Sequence, residues 1–273
     1  MLFILIGFFL FLSHDIPIAY AQEISLSPAE EQGIGEKVFR NECSDEDKCL
    51  VSWNEGEDFL SLGIGHFIWY PAGKKGPFEE SFAEFLVYLE EKNKQLPAWL
   101  TEGPESHCPW KDRLDFMRDS GSVRALDLRK FLLETKTEQI AFLIKRLQEA
   151  LPTMVKNVPE ADREQITRQF YRMARTPAGV YALVDYINFK GLGVVPTERY
   201  RGQGWGLAQV LGGMTGEEDG VAALEEFVRT AEGLLTERVN NAPVERNEVR
   251  WLPGWKNRVN SYLDVQETKT PRG

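Results

Sequence analysis

The spacing of apolar residues changes period twice along the chain. Ile34, Val38 and Glu42 recur at i, i+4 spacing with Phe39 beside them, which predicts a helix whose apolar stripe ends in a carboxylate. Ser27-Pro28-Ala29-Glu30 opens that helix as a capping box with Pro at the first helical position. From Cys49 the pattern becomes strand-like. Leu50 to Trp53 and Phe59 to Leu62 read as strands around the polar turn Asn54 to Asp58, and Gly63 to Tyr70 continues with glycines that permit a bend. After a loop at Pro71 to Pro77, helical spacing returns over Glu79 to Asn93, Leu126 to Leu133, Thr137 to Leu151, Arg163 to Ala174 and Val221 to Val239. Ala178 to Phe189 is apolar and runs into a Gly-rich loop through Gly206, while Asn240 to Gly273 reads as irregular. A β-hairpin early in a mostly helical chain predicts the α+β class.

Leu2 to Leu12 is an apolar run followed by Ala19-Tyr20-Ala21, so residues 1–21 read as a secretory signal peptide, with the mature chain starting near Gln22. The leading end has no Lys or Arg, and an uncleaved anchor is the alternative. No second apolar stretch approaches transmembrane length, so the mature chain is expected outside the bilayer, secreted or periplasmic. No linker or internal repeat divides residues 22–273, which are expected to form one domain. The formal net charge of −10 argues against a nucleic-acid or anionic-membrane partner. It leaves a carbohydrate substrate open.

Export permits a disulfide. Cys43 and Cys49 bracket a short polar loop and are the obvious pair, although bonding of either to Cys108 stays open. No His lies at ligand spacing from them, so neither a metal nor any other cofactor is expected.

Glycoside cleavage uses a carboxylic acid on one side of the bond and a second polar group on the other. Glu42, at the end of an apolar stripe, suits the first role, since apolar surroundings keep a carboxyl protonated. The hairpin that follows offers Glu55, Glu57, Asp58 and Ser61 for the second.

Lys37-Val38-Phe39-Arg40-Asn41-Glu42 resembles the end of the first catalytic-domain helix in phage-type lysozymes, where the acid closes a similar phrase. Asn54-Glu55-Gly56, then Leu60-Ser61-Leu62-Gly63-Ile64-Gly65-His66, is similar to that family's hairpin. The resemblance implies a lysozyme-like fold, Glu42 as general acid, and Ser61 in place of a Thr that positions water. Counting back from Gly63 to the family's catalytic Asp reaches Glu55, whereas side-chain chemistry favours Asp58. The interval from Glu42 to Gly63 is several residues longer than the family's, and the Cys43–Cys49 loop absorbs the difference. His66 is implied to be a structural hydrogen-bonding residue.

Val184 to Gly191 resembles the lysozyme helix that ends in Asn and Gly at the cleft. Trp205-Gly206-Leu207-Ala208-Gln209 is similar to a phrase of lytic transglycosylases, and Arg250-Trp251 with Trp255 and Tyr262 is similar to the closing residues of phage lysozymes. Asn188, Gln209 and Trp205 are therefore candidates for substrate contact, with caps, loop braces and buried core as their alternative roles. Residues 95–160 match nothing in the family and read as a helical insertion.

The expected function is hydrolysis of the β-1,4 bond between N-acetylmuramic acid and N-acetylglucosamine by a monomer acting on peptidoglycan glycan strands. Inversion would follow if the two carboxyls lie about 6.5–9.5 Å apart. The alternatives are a lytic transglycosylase relying on Glu42 alone, a non-catalytic wall-binding envelope protein, and a chitin- or chitosan-cleaving enzyme.

Overall fold

The computed structural model describes residues 23–43, 47–76, 78–101 and 107–264, so the signal segment lies outside the described residues. The first helix, α1 (Pro28–Cys43), starts on the expected capping box: the Ser27 amide donates to Glu30 Oε2 at 2.8 Å and Ser27 Oγ accepts from the Glu30 amide. Ile34, Val38 and Phe39 are buried, as the stripe requires. A short 3-10 turn, Asp47–Leu50, leads into β1 (Val51–Ser52), β2 (Leu60–Leu62) and β3 (Phe67–Trp69). These strands form one antiparallel sheet in which Ser52 pairs with Ser61 and Ser61 with Ile68.

The turn between β2 and β3 is pinned from outside. Gly63 has φ +68°, and the Ile64 amide donates to Gln139 Oε1 at 2.8 Å. Gln139 is fully buried and donates in turn to the Leu132 carbonyl at 2.6 Å. A buried amide satisfied on both ends fixes the turn more firmly than glycine alone, because breaking either bond leaves a desolvated polar group.

The helical part follows in order: α2 (Ser81–Glu91), α3 (Ala98–Thr101), α4 (Arg113–Asp119), α5 (Val123–Glu134), α6 (Lys136–Asn157), α7 (Glu160–Ala174) and α8 (Pro177–Lys190). A small hairpin of β4 (Arg199–Tyr200) and β5 (Gln203–Gly204) precedes α9 (Leu207–Gly213), α10 (Val221–Asn241) and α11 (Leu252–Asn260). The protein is thus a mostly helical α+β fold. Its centre is α8, whose residues 181–186 are all buried, as expected of a helix apolar on every side. It packs against α1, α6, α7 and α10. Within residues 95–160, α6 packs on α1, α2, α7 and α8. A Cβ on Gly35 would stand 2.6 Å from Ile140 Cγ1, so the α1–α6 crossing depends on a glycine.

The stretch after Asn240, read as irregular, contains a real helix. Pro253 and Gly254 disfavour helix by propensity, but Pro is tolerated in a first turn. Packing of α11 against α10, with Val259 fully buried, supplies what propensity does not. The short α4 was also not expected. Asp112 caps it by accepting from the Asp115 amide at 2.8 Å.

Cys43 and Cys49 form a disulfide with Cα atoms 5.3 Å apart, and Cys108 is a buried free thiol.

Candidate active site

Glu42 stands in the last turn of α1, one residue before the disulfide. Its side chain is 11% exposed, and both oxygens have partners from distant parts of the chain. Oε1 accepts from Arg258 Nη2 of α11, and Oε2 lies 3.4 Å from His66 Nδ1. His66 reaches this place because it ends the pinned turn with φ +48°.

Arg258 is shared with a second carboxylate. Its Nε and Nη2 donate to the two oxygens of Asp185, each at 2.9 Å, the fork geometry in which a guanidinium binds a carboxylate most strongly. Asp185, 1% exposed, also accepts from Tyr262 Oη at 2.5 Å. Burial works against the Arg258 charge, but Asp185 and then Glu42 outweigh it and push the guanidinium pKa further up. Burial, and then Asp185, hold the Tyr262 phenol well above its ordinary range, and the same two causes raise Tyr181. The centre therefore sets two carboxylates around one permanent cation, roofed by neutral phenols.

On the hairpin, Ser61 is 2% exposed and its hydroxyl donates to Glu57 Oε2 at 3.4 Å. The same oxygen accepts from Asn54 Nδ2 at 3.1 Å, and Trp53 Nε1 holds the Glu57 carbonyl at 2.8 Å. Glu55 and Asp58 are exposed on the turn. Of the three hairpin carboxylates, the structure brings Glu57 to Ser61.

The remaining candidates divide. Trp205 is buried, 4.1 Å from the Arg238 guanidinium and tilted against Tyr200. Gln209 donates to the Gly193 carbonyl and accepts from the Gly206 amide, so its amide is spent on bracing its own loop. Asn188 is exposed on α8. Nothing in the strand or helix periods pointed to Arg258 or Gln139. Asp185 did leave a sign, a lone charge inside the apolar run Ala182 to Tyr186, because such a charge is buried only with a partner.

A cavity of about 350 Å³ between α1 and the start of α6, lined by Gly35, Phe39, Lys136 and Ile140 among others, contains none of these groups. Among the described residues, no three or more His, Cys, Asp or Glu side chains are grouped to hold a metal ion. No protein-family model matches the chain, and neither a characterised protein nor a solved structure shows significant similarity to it.

Proposed function

We propose that the chain is a glycosidase that cleaves the β-1,4 bond between N-acetylmuramic acid and N-acetylglucosamine in peptidoglycan. Glu42 is its general acid, protonating the leaving oxygen. Ser61 and the carboxylate beside it position water from the opposite side. The observation that carries this reading is the 3.4 Å approach of His66 to Glu42. It joins the two halves of the lysozyme-like phrase, the helix end and the Gly-Ile-Gly-His turn, at one carboxylate. The disulfide agrees with an oxidising compartment outside the cytoplasm. Among the described residues no helix is long and apolar enough to cross a membrane.

The test is digestion of purified peptidoglycan by the mature chain and by Glu42→Gln, with products read by mass spectrometry. New reducing ends that vanish in the variant support the hydrolase. Anhydro ends would instead assign a lytic transglycosylase using Glu42 alone, a chemistry that needs no second carboxylate. One observation favours a non-catalytic glycan binder: the Arg258 bond to Glu42 suits a purely structural carboxylate. Wild-type protein that binds the glycan and releases no product would establish that reading.

A further inference from the structure

Lys190 is the last residue of α8, and the residue is 8% exposed. Its ammonium lies 3.5 Å from the ring centroid of Trp255 and 3.9 Å from that of Phe189. Among the described residues no oxygen accepts a hydrogen bond from it and no carboxylate pairs with it. The neighbouring cations are matched. Arg238 donates to both oxygens of the buried Glu248 at 2.8 and 3.0 Å, and Arg258 serves Asp185 and Glu42. The rings strip most water from the amine while its nitrogen keeps an edge open to solvent, an arrangement that disfavours the charged form and leaves room for an acceptor. Burial first, then Arg238 and Arg258 against Glu248, bring its pKa down to about 6.

The surroundings of Lys190 lead in two directions. Inward, Arg258 lies 4.6 Å from the Phe189 centroid, so Phe189 is shared by Lys190 and the partner of Glu42. Outward, Trp255, which also carries the Arg238 guanidinium 4.8 Å from its centroid, is tilted by 34° against Trp251 with centroids 6.1 Å apart, so Trp251 offers the more open ring. Trp251 is 42% exposed and carries the Arg250 guanidinium 4.5 Å over its ring. Phe189 and Trp255 are only half-buried, so the amine lies one side chain beneath the surface.

We propose that Lys190 and the Trp251–Trp255 pair form a subsite for a saccharide that carries a carboxylate, the amine meeting the carboxylate and the indoles the apolar face of the sugar. Resting on the glycan reading above, this names the anionic residue of the strand as the group recognised. A carboxylate supplies the acceptor that the amine lacks; above about pH 6 its binding draws a proton onto the amine, and the charge-assisted hydrogen bond so formed, strongest at or below about pH 6, is worth enough to decide between two sugars. In peptidoglycan the carboxylate comes from the lactyl ether of muramic acid or from the stem peptide.

The experiment titrates the full mature chain with three probes by calorimetry and tryptophan fluorescence: N-acetylglucosaminyl-N-acetylmuramic acid, N,N′-diacetylchitobiose, and muramyl dipeptide, whose lactyl group is an amide. The first has no bond in the order proposed to be cleaved, so its binding is read without turnover and stands apart from the fate of Glu42. The expected result is roughly tenfold tighter binding of the muramic acid disaccharide than of chitobiose. Lys190→Met should remove that preference and Lys190→Arg should keep it. Trp251→Ala, a change at an exposed ring, should weaken both disaccharides and guards against a folding defect at Lys190. Muramyl dipeptide binding as tightly as the free acid assigns the peptide carboxylate; binding as weakly as chitobiose assigns the lactyl group. Equal affinity for both disaccharides, no binding of either, or a preference that survives in Lys190→Met overturns the proposal.

Discussion

Arg258 reaches across 216 positions of the chain to bond Glu42, while the same guanidinium forks onto Asp185 with two 2.9 Å bonds. The acid at the end of α1 is thus oriented by α11 through a residue that also serves a buried carboxylate. Removing Arg258 therefore does two things, freeing Glu42 and stranding Asp185 with Tyr262 as its remaining partner. Breaking a buried pair by deleting one side costs about 3–5 kcal/mol. Arg258→Met should fall near the lower end, because Arg258 itself retains 21% exposure. Urea unfolding checks this, and the double variant with Asp185→Asn should lose less than the sum of the single changes. A single-variant loss under about 1 kcal/mol would show that the cluster contributes little to the fold.

The hairpin carboxylates are separable by activity on peptidoglycan. Glu57→Gln removes the anion that accepts from Ser61 and Asn54, and we expect a rate loss of about a hundredfold or more, the scale of a lost acid–base or positioning group. Glu55→Gln and Asp58→Asn change exposed groups and should stay within a few-fold of wild type. If Glu55→Gln gives the largest loss, the position implied by lysozyme-like counting is the working one, and the Ser61 contact is structural.

Gly63→Ala tests the pinned turn. The added Cβ would stand 2.3 Å from Gln139 Oε1 and must adopt a φ of +68°. The left-handed backbone costs about 1–2 kcal/mol and the displaced hydrogen bond about another 1 kcal/mol. A total of about 2–3 kcal/mol by chemical denaturation is expected, together with a loss of activity, since His66 follows on the same turn. Stability within about 0.5 kcal/mol of wild type would mean that the turn adjusts without cost.

Lys190 should make stability depend on pH. Folded, its amine holds a proton only below about pH 6; unfolded, it keeps one to about pH 10.4. Between those values the unfolded chain binds the extra proton, so this group's contribution favours the folded state increasingly as pH rises. The slope is at most about 1.4 kcal/mol per pH unit. Lys190→Met should therefore be more stable than wild type at pH 7, with the gap closing between pH 7 and 9. Above about pH 10 the buried phenols of Tyr181, Tyr186 and Tyr262, whose pKa values are raised by burial, act in the opposite direction. Thermal unfolding of both proteins at several pH values measures the gap. A gap that stays constant over that range would mean the amine is charged in the folded state.

Local rules in the sequence determined much of this protein. The capping box at Ser27, the stripe of Ile34 and Val38 leading to Glu42, the hairpin around Asn54 to Asp58 and the Cys43–Cys49 bond all depend on neighbours within a few residues. Periodicity and turn chemistry report such contacts directly. The tertiary structure alone decided what surrounds Glu42. Arg258 lies on a helix that Pro253 and Gly254 disguise, and packing against α10 forms that helix. Gln139 pins a turn far from it in sequence because α6 crosses α1 at Gly35. Lys190 lost most of its hydration because Trp255 of α11 closes over it beside its own neighbour Phe189. In each case the deciding energy is a charge or a polar group losing water, and which partner replaces that water depends on elements distant in sequence.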